Sequence, residues 1–140
     1  MSEPVILASA SRIRATMLQA AGVPVEVVPA RVDESELKIA LRGQGAEPAD
    51  VAVALAELKG LQVSRSRPGR LVLGADQMLD CDGAWLDKPE NRDAAREQLL
   101  ALRGRKHRLT SAAVLARDGA RIWHHAAAAR LTMRGFTDAF

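Results

Sequence analysis

Two short stretches of this chain gather residue types that do phosphate chemistry. Ser9-Ala10-Ser11-Arg12-Ile13-Arg14 follows an apolar run at residues 5–8. A strand-to-helix turn at this point exposes unpaired backbone N–H groups at the positive end of a helix dipole, which favours anions. The hydroxyls of Ser9 and Ser11 and the guanidinium of Arg14 would add charge-assisted hydrogen bonds to phosphate oxygens. The second stretch, Leu71-Val72-Leu73-Gly74-Ala75-Asp76-Gln77, is an apolar run that ends in a carboxylate. A buried strand with Asp76 at its C-terminal end would aim an acid into the crevice where open α/β proteins hold ligands. In a partly dry cleft its pKa can move towards working pH, which suits a general base; it can equally ligate a metal. Both stretches also admit plainer readings, Ser11 as a helix cap and Asp76 as the turn residue that opens a hairpin.

Three further groups of residues can serve such a site. Asp33-Glu34-Ser35-Glu36 reads as an acidic turn. Hard divalent cations take one or two carboxylates together with substrate phosphates, although a solvated surface turn has the same composition. Lys59 falls near the end of a helical stretch, where a cation suits the dipole anyway, and Lys88 precedes Pro89. Either can act as a point charge for a phosphate. The histidines give less. His124 and His125 are adjacent, so in a strand they point to opposite faces and make poor joint metal ligands; His107 stands alone. Cys81 has no histidine near it in sequence and reads as a small buried residue of a hairpin.

The elements that must position these groups are legible from pattern. Residues 5–9 and 25–28 read as strands. Ser11 caps a helix reaching about residue 21, with Ile13, Met17 and Ala20 on one face and Gly22 as its stop. Residues 31–36 read as a charged turn, and residues 37–45 as a short helix followed by a Gly-Gln-Gly loop. Pro48 opens a helix with Val51, Leu55 and Leu58 in a stripe and Gly60 as its end. Residues 64–69 are the best candidate for a linker. Strand 71–75 follows, then hairpins around Asp82-Gly83 and Asp118-Gly119. Between them Asn91 caps a helix that carries Ala95, Leu99 and Leu102 and stops at Gly104. Phe136-Thr137-Asp138-Ala139-Phe140 reads as a helix just beginning, with Thr137 as N-cap, so a C-terminal part is expected to be missing.

Bulk properties narrow the class. A chain of 140 residues, 48% hydrophobic and 26% charged, is expected to form one globular domain spanning residues 1–140. Its net charge of +3 suits an anionic ligand. Two Trp, two Phe and no Tyr are too few to favour nucleic-acid binding by stacking. A single cysteine rules out an internal disulfide and fits a reducing compartment, so a cytoplasmic location is expected. No stretch approaches the ~20 apolar residues of a membrane span. No Walker A loop and no Gly-x-Gly-x-x-Gly is present, which removes the usual support for ATPase and dinucleotide-dependent redox chemistry.

Six segments, taken in order, resemble the Maf family of nucleoside triphosphate pyrophosphatases. They are Leu7-Ala8-Ser9-Ala10-Ser11 with Arg14, Val32-Asp33-Glu34, Leu55-Ala56-x-x-Lys59, Leu73-Gly74-Ala75-Asp76, Asp87-Lys88-Pro89 and Leu102-x-Gly104-x-x-His107. The resemblance implies a Maf/ITPase-like α/β fold, a mixed sheet flanked by helices with a central nucleotide-binding cleft. It implies hydrolysis between the α- and β-phosphates, giving a nucleoside monophosphate and pyrophosphate, with a divalent cation, Mg²⁺ or Mn²⁺. By motif position Asp76 would activate water. Ser9, Ser11, Arg14, Lys59 and Lys88 would hold phosphates, and Glu34 and Asp76 would hold the metal. A nucleoside triphosphate is the implied partner, with neither nucleic acid nor membrane, and a homodimer is compatible with the family.

The chain departs from the family where base choice is set. The phosphate loop usually reads Ser-x-Ser-Pro-Arg-Arg; here Arg12 replaces the proline and Ile13 the first arginine. The branch resembling dTTP/UTP pyrophosphatases has Arg and Thr at the positions of Ile13 and Gln77. The branch resembling 7-methyl-GTP pyrophosphatases has an apolar residue and Gln, and this chain follows it. The altered loop and missing tail also fit another class, a nucleotide-binding regulatory module without catalysis.

Overall fold

The computed structural model describes residues 3–139. The elements in chain order are β1 (Val5–Leu7), α1 (Arg12–Ala20), β2 (Val25–Val27), α2 (Glu34–Gly43), α3 (Pro48–Arg65), β3 (Val72–Cys81), β4 (Ala84–Leu86), α4 (Arg92–Leu102), β5 (Lys106–Arg117) and β6 (Ala120–Thr132). The six strands form one mixed sheet in the order β2-β1-β3-β5-β6, with β4 pairing β3 off that path. β1 runs parallel to both β2 and β3, while β3, β5 and β6 form an antiparallel meander. Both hairpin turns form as their sequences require. Asp82, Gly83, Asp118 and Gly119 all have positive φ, the conformation of a type I′ turn, where Asp-Gly is favoured.

The main core lies between α3 and the sheet. Val51, Ala52, Leu55 and Ala56 of α3 pack with Met78, Ala112 and Val114 of the strands. α3 begins with a capping box between Glu47 and Asp50 and has Pro48 in its first turn, where the missing N–H is no loss. It does not stop at Gly60, as the sequence pattern expects, but runs five residues further. Gly60 is a contact residue rather than a terminator. A methyl group there would sit 3.5 Å from the Gly74 backbone nitrogen, and a methyl group on Gly74 would collide with the Ala56 carbonyl oxygen. Gly74 therefore lets helix and strand approach more closely than a side chain allows, while Gly60 faces it at ordinary contact distance.

Other elements also differ from the expectations. β3 is one continuous strand of ten residues, so Asp76 lies in mid-strand and not at a C-terminal end. The β5 ladder sustains β3 from Val72 to Asp80, whereas the parallel pairing with β1 ends at Leu7↔Leu73. The crevice opens where β1 departs. Residues 34–36 are not a turn: Asp33 caps α2, accepting a hydrogen bond from Glu36 N at 3.0 Å, and Glu34 lies in the first helical turn. The candidate linker at 64–69 is tied down. Ser64 is buried and its Oγ accepts from Gly119 N (2.8 Å), while Gly69 N donates to Asp118 Oδ1 (2.7 Å). The expected C-terminal helix does not start within the described residues; Asp138 lies in a turn and pairs with Arg103 instead of a helix dipole, and Phe140 lies outside the described residues. The apolar stripe of α1 forms but is not covered, Ile13 being 74% and Met17 61% exposed.

Candidate active site

Asp76 and Lys59 meet because of the Gly60–Gly74 contact. Ala56 and Gly60 face β3 one helical turn apart, and Lys59, beside Gly60, reaches past Gly74 to Asp76 on the same face of the strand. Its Nζ lies 3.4 Å from Asp76 Oδ1 and is also ion-paired with Glu34, which the first turn of α2 supplies. One ammonium thus sits between two carboxylates. Burial raises the Asp76 carboxyl above its ordinary pKa; Lys59 opposes that shift, Glu34 adds to it, and the Gln77 backbone N–H and Lys38 pull it back more weakly. A raised carboxyl pKa suits a group that must take a proton near neutral pH.

The Ser9–Arg14 segment forms the strand-to-helix turn that its sequence predicts. Ser11 caps α1, its Oγ accepting from Arg14 N at 3.3 Å. Ser9 Oγ accepts from Ser11 N (3.1 Å) and from Arg14 Nη1 (3.0 Å). Ser9 is buried, so this hydroxyl fixes both the loop and the guanidinium. Ser9, Ser11, Arg14, Lys59, Gln77 and Lys88 all line one cavity of about 640 Å³, and Ile13 lies on the same wall. Residues from the loop after β1, from α1, α3 and β3, and from the segment after β4 are brought to one place. A smaller cavity of about 270 Å³ adjoins it through Arg14 and Gln77 and reaches Asp76.

Asp76 Oδ2 is buried and meets no hydrogen-bond donor at bonding distance among the described residues. With Glu34 across Lys59, it offers hard oxygen ligands. Among the described residues no cluster of three or more His, Cys, Asp or Glu side chains could hold an ion alone. Two carboxylates are too few for an all-protein cage but fit a Mg²⁺-type ion that takes its other ligands from substrate phosphates and water.

Two supporting residues escaped the sequence reading. Lys38 donates to Asp87 Oδ1 at 2.8 Å, which ties α2 to the segment that carries Lys88. Its only signal was helical spacing from Glu34, hidden by the expectation of a turn there. Ser111 Oγ accepts from Gln77 Nε2 at 3.0 Å, a pairing set by the β3–β5 register. The other candidates stand apart from this cluster. Cys81 is buried, with Sγ 3.4 Å from the Lys106 carbonyl oxygen; His124 and His125 are exposed on β6; and His107 lines a separate cavity with Asp80 and Arg108.

A family model described as Maf-like protein matches residues 4–140. The chain belongs to the Maf family. It is 56% identical over 135 residues to a nucleoside triphosphate pyrophosphatase of Paramagnetospirillum magneticum, covering 96% of this chain and 70% of that protein. It is 52% identical over 134 residues to a 7-methyl-GTP pyrophosphatase of Mesorhizobium japonicum, covering 96% and 67%. Among solved structures, a HAM1 protein from Coxiella burnetii superposes with a TM-score of 0.55 at 14% identity, over 92% of this chain and 71% of that one. At that identity the likeness concerns the fold, a mixed sheet flanked by helices. The matched range contains Ser9–Arg14, Glu34, Lys59, Asp76 and Lys88. No helix among the described residues is long and apolar enough to cross a membrane.

Proposed function

We propose that this chain hydrolyses the α–β phosphoanhydride of a nucleoside triphosphate to the monophosphate and pyrophosphate. The observation that carries the reading is Lys59 held between Asp76 and Glu34 at the edge of a cavity lined by Ser9, Ser11, Arg14 and Lys88. Ser9, Ser11, Arg14, Lys59 and Lys88 hold the phosphate oxygens and offset charge that builds up in the transition state. Asp76 orients a water molecule and takes its proton as the new oxygen–phosphorus bond forms. The anhydride bond breaks and pyrophosphate leaves with the bonding electron pair. Glu34 and Asp76 would hold a divalent cation, Mg²⁺ or Mn²⁺, which when bound neutralises phosphate charge. The names carried by the Maf relatives support the reaction class.

The base favoured by this reading is 7-methylguanine. Its support is Ile13 together with Gln77, the pattern of the 7-methyl-GTP branch, and a relative of that name at 52% identity. The test is pyrophosphate release, with Mg²⁺, from 7-methyl-GTP, GTP, dTTP, UTP and CTP. Turnover of 7-methyl-GTP above the rest is the expected result. A preference for dTTP and UTP would keep the reaction and overturn the base assignment. Nucleotide binding by calorimetry without pyrophosphate release would replace the enzyme with a binding module.

A further inference from the structure

The nucleotide reading leaves open what holds Gln77 in place. Gln77 follows Asp76 on β3, so its side chain leaves the opposite face of the sheet, the face on which α1 lies. There it lines the cavity of about 270 Å³ whose apolar walls include Met17, Leu18, Leu73 and Ala75 and which Arg14, Asp76 and Ser111 also border. A slot with apolar walls and a few convergent polar groups suits a flat ring with a polar edge. Gln77 is exposed, and a glutamine with three rotatable bonds has much rotamer freedom to lose. Ser111 removes that freedom. It sits directly opposite Gln77 in the β3–β5 ladder, on a strand paired on both sides, and its Oγ accepts from Gln77 Nε2 at 3.0 Å.

We infer that Ser111 is a positioning residue for nucleobase selection. It acts through Gln77 and does not touch the reacting atoms. With Nε2 engaged by Ser111, Oε1 is the end of the amide left to accept an N–H from a base edge. Guanine-type bases present such donors at N1 and N2; the uracil edge alternates carbonyls around one N–H and offers fewer. This inference rests on the proposed nucleotide chemistry and extends it to base choice.

The test is a double-mutant cycle read by both binding and turnover. Kd and kcat/KM are measured for 7-methyl-GTP and UTP with the unsubstituted chain, Ser111→Ala, Ser111→Thr, Gln77→Ala and the Gln77→Ala/Ser111→Ala pair. In Ser111→Ala the preference for 7-methyl-GTP over UTP is expected to fall about fivefold, the scale of one neutral hydrogen bond. Ser111→Thr keeps the hydroxyl and restores the preference. In the Gln77→Ala background the serine substitution has no further effect, because the residue it acts through is gone. Inorganic triphosphate, which has no base, inhibits every variant equally. An unchanged preference in Ser111→Ala, or the same fall in the Gln77→Ala background, overturns the inference while leaving the pyrophosphatase reading intact. If the unsubstituted chain binds 7-methyl-GTP and UTP without turnover, the Kd values still decide it. If it binds neither nucleotide, both readings fall.

Discussion

On the face of β5 that α3 covers, Thr110, Ala112, Val114 and Ala116 are all buried, whereas Ser111, Ala113 and Leu115 on the other face are only half-buried. β3 divides the same way around the site. Asp76 meets Lys59, which also pairs with Glu34, against α3 and α2; Gln77 faces α1, whose residues are nowhere fully buried. The Asp76–Lys59–Glu34 cluster proposed for hydrolysis is thus set against the close-packed side of the molecule, and Gln77, proposed for base recognition, lies towards its open side, the two meeting at the shared cavities. Precise placement of a proton acceptor needs a rigid frame, because small displacements are costly in rate. Recognition of a ring in a slot tolerates adjustable walls.

The contrast can be broken most directly at Asp76. Asp76→Asn is expected to lower turnover by about 10²- to 10⁴-fold, the span of general-base catalysis, while the fold survives. Its effect on stability runs the other way. Burial raises the Asp76 pKa, so the native chain holds that proton more tightly than the unfolded chain. Stability therefore falls as pH climbs from the ordinary carboxylate range through the raised value, and then levels off. In metal-free buffer the asparagine variant should melt above the parent at pH 7 and show no such gain near pH 3. A variant less stable than its parent at pH 7 would mean that Lys59 outweighs burial.

Packing should show the same asymmetry. Leu55→Ala, on the fully buried side, is expected to cost about 3 kcal/mol by denaturant unfolding. Met17→Ala, on exposed α1, should stay within about 0.5 kcal/mol. Equal losses would mean that α1 is as tightly held as α3. The closest contact between helix and strand gives a finer comparison. Gly74→Ala drives a methyl group into the Ala56 carbonyl oxygen and should destabilise by about 2–3 kcal/mol, with loss of activity as Asp76 shifts relative to Lys59. Gly60→Ala meets only ordinary contacts, the nearest at 3.5 Å, and should gain up to about 1 kcal/mol from helix propensity. Thermal melts of the pair would separate a glycine needed for space from one that is merely tolerated.

Local chemistry was legible in the sequence wherever a short stretch determines its own conformation. The Ser11 and Asn91 caps and the two Asp-Gly turns depend on a few neighbouring residues, and each forms as read. The family motifs were legible for a similar reason, being short and ordered. Features set by distant partners were not. Asp76 lies in mid-strand because β5 continues beside it after β1 has left, which no local pattern reveals. Gly60 was read as a stop because a glycine in a helix ordinarily weakens it; α3 runs through it because packing on β3 carries the helix past that residue. Lys38 and Ser111 are unremarkable in sequence and become significant only through a contact across the fold, 49 residues for Lys38–Asp87 and 34 for Gln77–Ser111.

Asp76 and Gln77 are consecutive, yet the pleat of β3 sends them to opposite sides of the sheet. One peptide bond therefore separates the two roles proposed for them, which selection could treat independently. With the proposed roles, a lineage could exchange the residue at 77, and its companion at 111, and retarget the protein to a different nucleotide without rebuilding the hydrolytic cluster next door. An engineer can use the same separation, screening libraries at Ile13, Gln77 and Ser111 for new substrates while Glu34, Lys59 and Asp76 are left as they are.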